Sequence, residues 1–450
     1  MTERHAREKP SKRALVSEES VKDRALKEAV LRHYWAQGCF VQPEVEIRFA
    51  GGTSGVPKMI TDVDILALRF HPDLYFERLL GDCRTLKGQS PISRVLWLRG
   101  LMDFIGSRTG LIVLGANVRI EQDHKLAANR LGIRALSEQE FSAYDKAIVY
   151  PEGSKQASIS LREVRTLKDI GQRFPRLQPL LTYLYRDAWL EPGFGELIRH
   201  CIGHLRTVAR ELDPGKVEHR ALFCDASTIF SVGVAECAGQ VFHQYLQPSQ
   251  KEILSESLKL LIWGGYEQYR FYQTLRTRLG DVRGGEEVRA EARLELPEWN
   301  QFVQLVRNIL ERPGAAFDVP WLLRRLALDI NRGLEPLKHV RRADLLSVKF
   351  AMLIVSYLGK AGGLPREFGE FFVDVLVNVQ SRLAASSPGN RETISTNETT
   401  APGGEESRVA DTQPTREEGL QPSLPEMLFP ESGAAGSMKT EAQEEGEEDR

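Results

Sequence analysis

Two aspartates and one arginine carry the most visible chemistry in this sequence. Asp64 lies in the run MITDVDILALRF, and Asp82 and Arg84 lie in ERLLGDCRTLKG. Mg²⁺ takes hard carboxylate oxygens, one or two groups at a time, and leaves its other positions to water or substrate oxygens. A nearby guanidinium offsets the charge that develops on a transferring phosphoryl group. Side chains two apart in a strand point to the same face, so Asp82 and Arg84 project together. Asp64 on an adjacent strand meets them. Two acids and a cation on neighbouring strands make a Mg²⁺ and phosphate site of the kind that phosphodiester hydrolysis needs. Arg84 keeps its proton throughout, so it serves as a charge and not as a base.

The elements that hold these residues follow from periodicity. Ser20 and Asp23 make a capping-box-like start for a helix that runs to about Gln37. Val21, Ala25, Leu26, Ala29, Val30 and Tyr34 recur at the helical period on its core side, Glu28 falls at the margin, and Gly38 ends it. Val41 to Ala50 reads as a strand, with Val45, Ile47 and Phe49 alternating against Glu44, Glu46 and Arg48. GGTSGVPK at 51–58 is a hairpin turn by its Gly, Ser and Pro content, with Lys58 near its end as a candidate phosphate contact. The Asp64 strand, a short excursion through HPDLYFERLL and the Asp82 strand come next. A helix from Ile92 buries Val95, Leu96, Leu101, Met102 and Ile105. Arg99 pairs with Asp103 at i,i+4, or else turns with Arg94 toward substrate phosphates. TGLIVLG is a buried strand, 123–130 a helix and 133–136 a final strand. Ser137 and Glu140 box the start of a helix ending near Ala147.

This order of helix, strand, Asp strand, DxR strand, helix and strand resembles the restriction-endonuclease-like, or PD-(D/E)XK, nuclease superfamily. Asp64 matches the first motif acid, and Asp82-Cys83-Arg84 matches the (D/E)-x-K tripeptide with Arg in place of Lys. The resemblance spans roughly residues 20–147. It implies an α/β domain with a mixed sheet flanked by helices, and a Mg²⁺ held by Asp64 and Asp82 with the Cys83 main-chain carbonyl. It also implies Glu28 as a further metal ligand and Arg84 at the lysine position. The implied activity is metal-dependent cleavage of DNA in restriction, repair or defence. Two other readings stay open. One is a catalytically inactive relative that binds nucleic acid or acts as a scaffold, and the other is an unrelated α/β domain whose acids are structural.

Composition frames these readings. The chain of 450 residues is 42% apolar and 27% charged, which suits an ordinary globular protein of two or three domains. Its five cysteines are scattered, with no zinc spacing, as expected of a reduced cytoplasmic protein. No signal peptide and no run of about 18 apolar residues is expected. The domains read as a flexible basic arm at 1–19, the α/β domain at 20–150, an all-helical domain at 159–385 and a disordered acidic tail at 386–450. That tail holds 15 acidic and 5 basic residues, a charge of −10, so the total of −2 leaves +8 on residues 1–385. A basic body suits a nucleic-acid partner. Within the tail, the apolar cluster at 422–432 is a candidate protein-docking segment. The stretch WGGYEQYRFYQTLRTRLG at 263–280 mixes rings and guanidiniums. It reads first as a core helix with a basic outer face, and second as a surface that stacks bases.

Overall fold

The structure, a computed structural model, describes residues 12–49, 57–84, 90–150, 158–244, 250–283, 294–338 and 344–386. The turn at 51–56, Lys87 and the tail segment 422–432 lie outside these residues. Helix α1 (Lys12–Ala36) starts ahead of Ser20, so 12–19 is helix and not a flexible arm. KRALVSEE is made almost entirely of good helix formers with no breaker, which carries the helix through the Ser20 cap site. Gly38, at φ 82°, terminates it. Leu26, Val30 and Tyr34 are buried as the period requires, but Val21, Ala25 and Ala29 are exposed. The buried stripe extends to Leu31 and Trp35 instead, because Trp35 stacks on Trp321 with centroids 4.7 Å apart. A second layer therefore covers that flank of α1.

Five strands form one mixed sheet in the order β1-β2-β3-β4-β5. They are β1 (Phe40–Phe49), β2 (Lys58–His71), β3 (Tyr75–Arg84), β4 (Thr109–Leu114) and β5 (Ile133–Ser137). The first three are antiparallel neighbours, and β3–β4 and β4–β5 are parallel. Helices α2 (Pro91–Ile105) and α3 (Gln122–Arg130) make the two crossovers, as parallel pairing demands. The excursion expected over 71–80 is only a tight hairpin tip, with His71 opposite Tyr75 and Leu74 turning at φ 59°, and Tyr75–Leu80 already belong to β3. In α2 the buried residue is Leu98 where Leu96 was expected, and Leu96 faces solvent. Gly81 lets α1 approach the sheet, since a Cβ there would sit 3.1 Å from Val30. The Ser137–Glu140 capping box opens α4 (Glu138–Ala147) as the spacing indicates.

The β2–β3 ladder runs from His71/Tyr75 to Ile65/Gly81 and stops there. Beyond that point β2 continues beside β1 as far as Lys58, and β3 continues beside β4 as far as Arg84. The strands part where Asp64 and Asp82 stand.

Helices make up the remaining described chain: α5 (Leu161–Lys168), α6 (Ile170–Arg173), α7 (Gln178–Tyr185), α8 (Phe194–Val208), α9 (Val217–Gln244), α10 (Lys251–Ile262), α11 (Tyr266–Arg283), α12 (Trp299–Leu310), α13 (Val319–Asn331), α14 (Leu345–Ala361) and α15 (Arg366–Ser386). Among the described residues, α9 alone is long and apolar enough to cross a membrane, contrary to the expectation that no such run exists. Its apolar window is 94% buried inside the protein, which makes it the core helix of this region. Sheet and helices lie in one compact unit. A buried polar junction ties them. Arg324 of α13 donates to Gln42 Oε1 of β1 at 3.0 Å and pairs with Asp225 of α9 at 2.8 Å, while Tyr185 donates to the other Asp225 oxygen at 2.6 Å. The aromatic helix α11 is not a core helix. None of its residues 266–278 is buried, and Phe271 is 64% exposed.

Candidate functional site at the parting of two strands

Asp64 and Asp82 reach the parting from facing strands and are both buried. The Cys83 main-chain N–H donates to Asp64 Oδ2 at 2.8 Å, so the backbone of β3 itself fastens Asp64. Lys27 Nζ of α1 lies 2.7 Å from Asp64 Oδ1. This contact is an ion pair by distance, but Oδ1 has no aligned hydrogen-bond donor. Asp82 is gripped from α2 by Arg94, whose Nε reaches Oδ2 at 2.5 Å while Nη2 holds Oδ1. The Arg94 guanidinium also lies 3.6 Å from the centroid of the Trp97 ring, which fixes its plane. Arg84 Nε stands 3.6 Å from Asp82 Oδ1, and its side chain is 25% exposed, the most accessible of the three cations.

The electrostatics follow from this crowding. Burial and the charge of Asp82 raise the Asp64 pKa above the usual carboxylate value, against the pull of Lys27 and the Cys83 N–H. Burial opposes the charge of Lys27, but Asp64, Glu44 and Asp62 outweigh it and hold the ammonium pKa up. Arg84 behaves likewise, with Asp64, Asp82, Asp62 and Asp23 overcoming its burial. Burial, together with the two aspartates, pushes the Cys83 thiol well up, so it is an inert side chain.

The structure thus brings Asp64, Asp82 and Arg84 together. Glu28 it does not. Its Oε1 pairs with Arg32 at 2.6 Å, and its Oε2 accepts from the Leu161 N–H at 3.2 Å, at the first turn of α5. A carboxylate at a helix N-terminus is favoured there for structural reasons. Arg99 pairs with Asp103, as its spacing suggests. Lys58, at the exposed start of β2, contacts none of the site residues in the described chain. The sequence pointed to the wrong neighbour on α1: Lys27, beside Glu28, enters the site. Lys27 flanks the buried pair Leu26 and Val30, and this boundary position was its only signal.

The donor set does not fit a divalent ion as it is arranged. Asp82 has both oxygens taken by Arg94, and Asp64 has an ammonium at one oxygen and an amide at the other. Among the described residues, no group of three or more His, Cys, Asp or Glu side chains could hold a metal. Lys27, Arg94 and Arg84 surround the two acids, and Asp62, Asp23 and Glu44 are further acids whose charge reaches Lys27 or Arg84. Comparison with protein-family models, with curated proteins and with solved structures finds no match to this chain.

Proposed function

We propose that this protein binds DNA on a nuclease-like sheet whose acid pair is held by its own cations, and that it does not hydrolyse the strand it binds. The observation that carries the reading is the double occupation of the acids, Asp64 by Lys27 and Asp82 by Arg94. Placing Mg²⁺ there means displacing Lys27 and Arg94 from the carboxylates they hold and stripping water from an ion that gives it up reluctantly. Arg84 is the cation with accessible donors, and a guanidinium takes two phosphate oxygens in one plane. The surplus of +8 on residues 1–385 supports a polyanionic partner.

The experiment is fluorescence anisotropy of a DNA duplex against the full chain, in Mg²⁺ and in EDTA, over a range of salt. Equal affinity in both, and a shallower salt dependence by about one contact for Arg84→Met, support the reading. No binding at low salt, or binding that needs Mg²⁺, overturns it. One observation favours metal-dependent cleavage as a second reading: Asp64 Oδ1 is buried without an aligned donor. The ammonium beside it comes from α1, where the tripeptide itself lacks the motif lysine.

A further inference from the structure

A cavity of about 240 Å³ lies at the hairpin end of the sheet, away from the parted strands, between β1, β3 and the helices α8 and α9. Phe40, Phe76, Trp189 and Leu197 give it an apolar wall. Two charged side chains, Arg78 of β3 and Glu236 of α9, also line it.

Neither charge is answered by the protein. Arg78 donates to two main-chain carbonyls, Ile105 at 2.7 Å and Glu191 at 3.2 Å. Among the described residues, no acid lies within ion-pairing distance of it. Among the described residues, Glu236 accepts only the Phe76 N–H, at 3.3 Å and on Oε1. The two feel each other's field without touching. Burial lowers the Arg78 pKa against the charge of Glu236, and burial raises that of Glu236 against the Phe76 N–H and Arg78. A guanidinium and a carboxylate thus share one small cavity, with a gap between them and rings beside them.

A simple anion in the gap would meet Glu236, and a simple cation would meet Arg78. A zwitterion answers both. We propose that this cavity binds a free α-amino acid with an apolar side chain, its carboxylate on Arg78, its ammonium on Glu236 and its side chain against Phe40, Phe76 and Trp189. Such a ligand converts two half-answered charges into charge-assisted hydrogen bonds and dries the apolar wall. It also bridges β3 to α9, so occupancy would brace the sheet against the core helix.

The test is calorimetric titration of the full chain with L-leucine, L-valine and L-phenylalanine, beside N-acetyl-L-leucine and L-leucinamide. Saturable binding of at least one free amino acid is expected, with each blocked form weaker by about tenfold or more. Glu236→Gln keeps the shape and the acceptor for Phe76. In that variant L-leucine and N-acetyl-L-leucine should bind alike within about threefold. Arg78→Met should likewise erase the difference between L-leucine and L-leucinamide. No heat from any amino acid up to ~10 mM would mean that water alone fills the cavity, and would overturn the proposal. Blocked forms that bind the wild type as tightly as free ones would overturn it too. Should the variants fail to fold, the ligand series on the wild type decides.

Discussion

The ammonium of Lys27 and the guanidinium of Arg94 decide what the acid pair can do. Without Lys27, Asp64 is a buried carboxylate with one main-chain donor and Asp82 nearby. Lys27→Met should therefore cost about 3 kcal/mol at neutral pH, measured by urea denaturation. The pH dependence carries a definite sign. The folded pKa of Asp64 is already raised, so between the unfolded value of 3.8 and the folded one the native state binds the extra proton. Stability from this group thus falls as pH rises through that window. Removing Lys27 takes away a force that lowers the Asp64 pKa, so the fall should extend to higher pH. The penalty should shrink as pH falls and nearly vanish only well below the unfolded value of 3.8, where Asp64 is protonated in both states. A penalty independent of pH would show that Lys27 acts through packing of its stem alone.

At the scale of elements, the tip of the β2–β3 hairpin is held by α9. A Cβ on Gly239 would lie 2.1 Å from the Leu74 carbonyl oxygen, at the residue that turns the hairpin with φ 59°. Gly239→Ala must displace backbone, and about 1–3 kcal/mol of destabilisation is expected in denaturant melts. Phe271→Ala on α11 should leave the melting midpoint unchanged, since nothing on residues 266–278 is buried. The same truncation of Phe302, fully buried on α12, should cost about 3–5 kcal/mol. These contrasts explain which elements could be read in advance. Strands β1, β2, β4 and β5 alternate or run apolar between clear breaks, so they followed from period; the first half of β3, Tyr75–Leu80, read as an excursion because Glu77 and Arg78 interrupt its apolar run. Helix α11 could not be placed, because rings and arginines at helical spacing describe a buried face and a projecting one equally well. The second buried flank of α1 was hidden for a related reason: Trp35 answers to Trp321, far along the chain. Asp64 and Asp82 were legible as acids on neighbouring strands. Arg94, on the helix that follows, was noticed as a cation for substrate and serves instead as the partner of Asp82.

For the whole molecule, sheet and helices share a core through Arg324, Asp225 and Gln42, and the charge of the chain is divided along its length. Removing 386–450 takes away −10 and none of the buried core, which ends at Val379 among the described residues. The melting midpoint should hold. Affinity for DNA should rise at low salt, where an acidic segment competes with phosphate, and the gain should shrink near physiological salt with a screening length of about 8 Å. Equal affinities of the two chains at both salts would show that the segment does not mask the body.

Under the proposed function, protein cations and not a divalent ion occupy the acids at the parting of β2 and β3. Incubating supercoiled plasmid with the full chain in Mg²⁺, beside Asp82→Ala and an EDTA control, tests it most directly. The expected result is retention of bound plasmid with no nicking above the EDTA control by either protein. Nicking by the wild type that needs Mg²⁺ and disappears in Asp82→Ala would contradict it, and would mean that Lys27 and Arg94 yield the carboxylates to a metal.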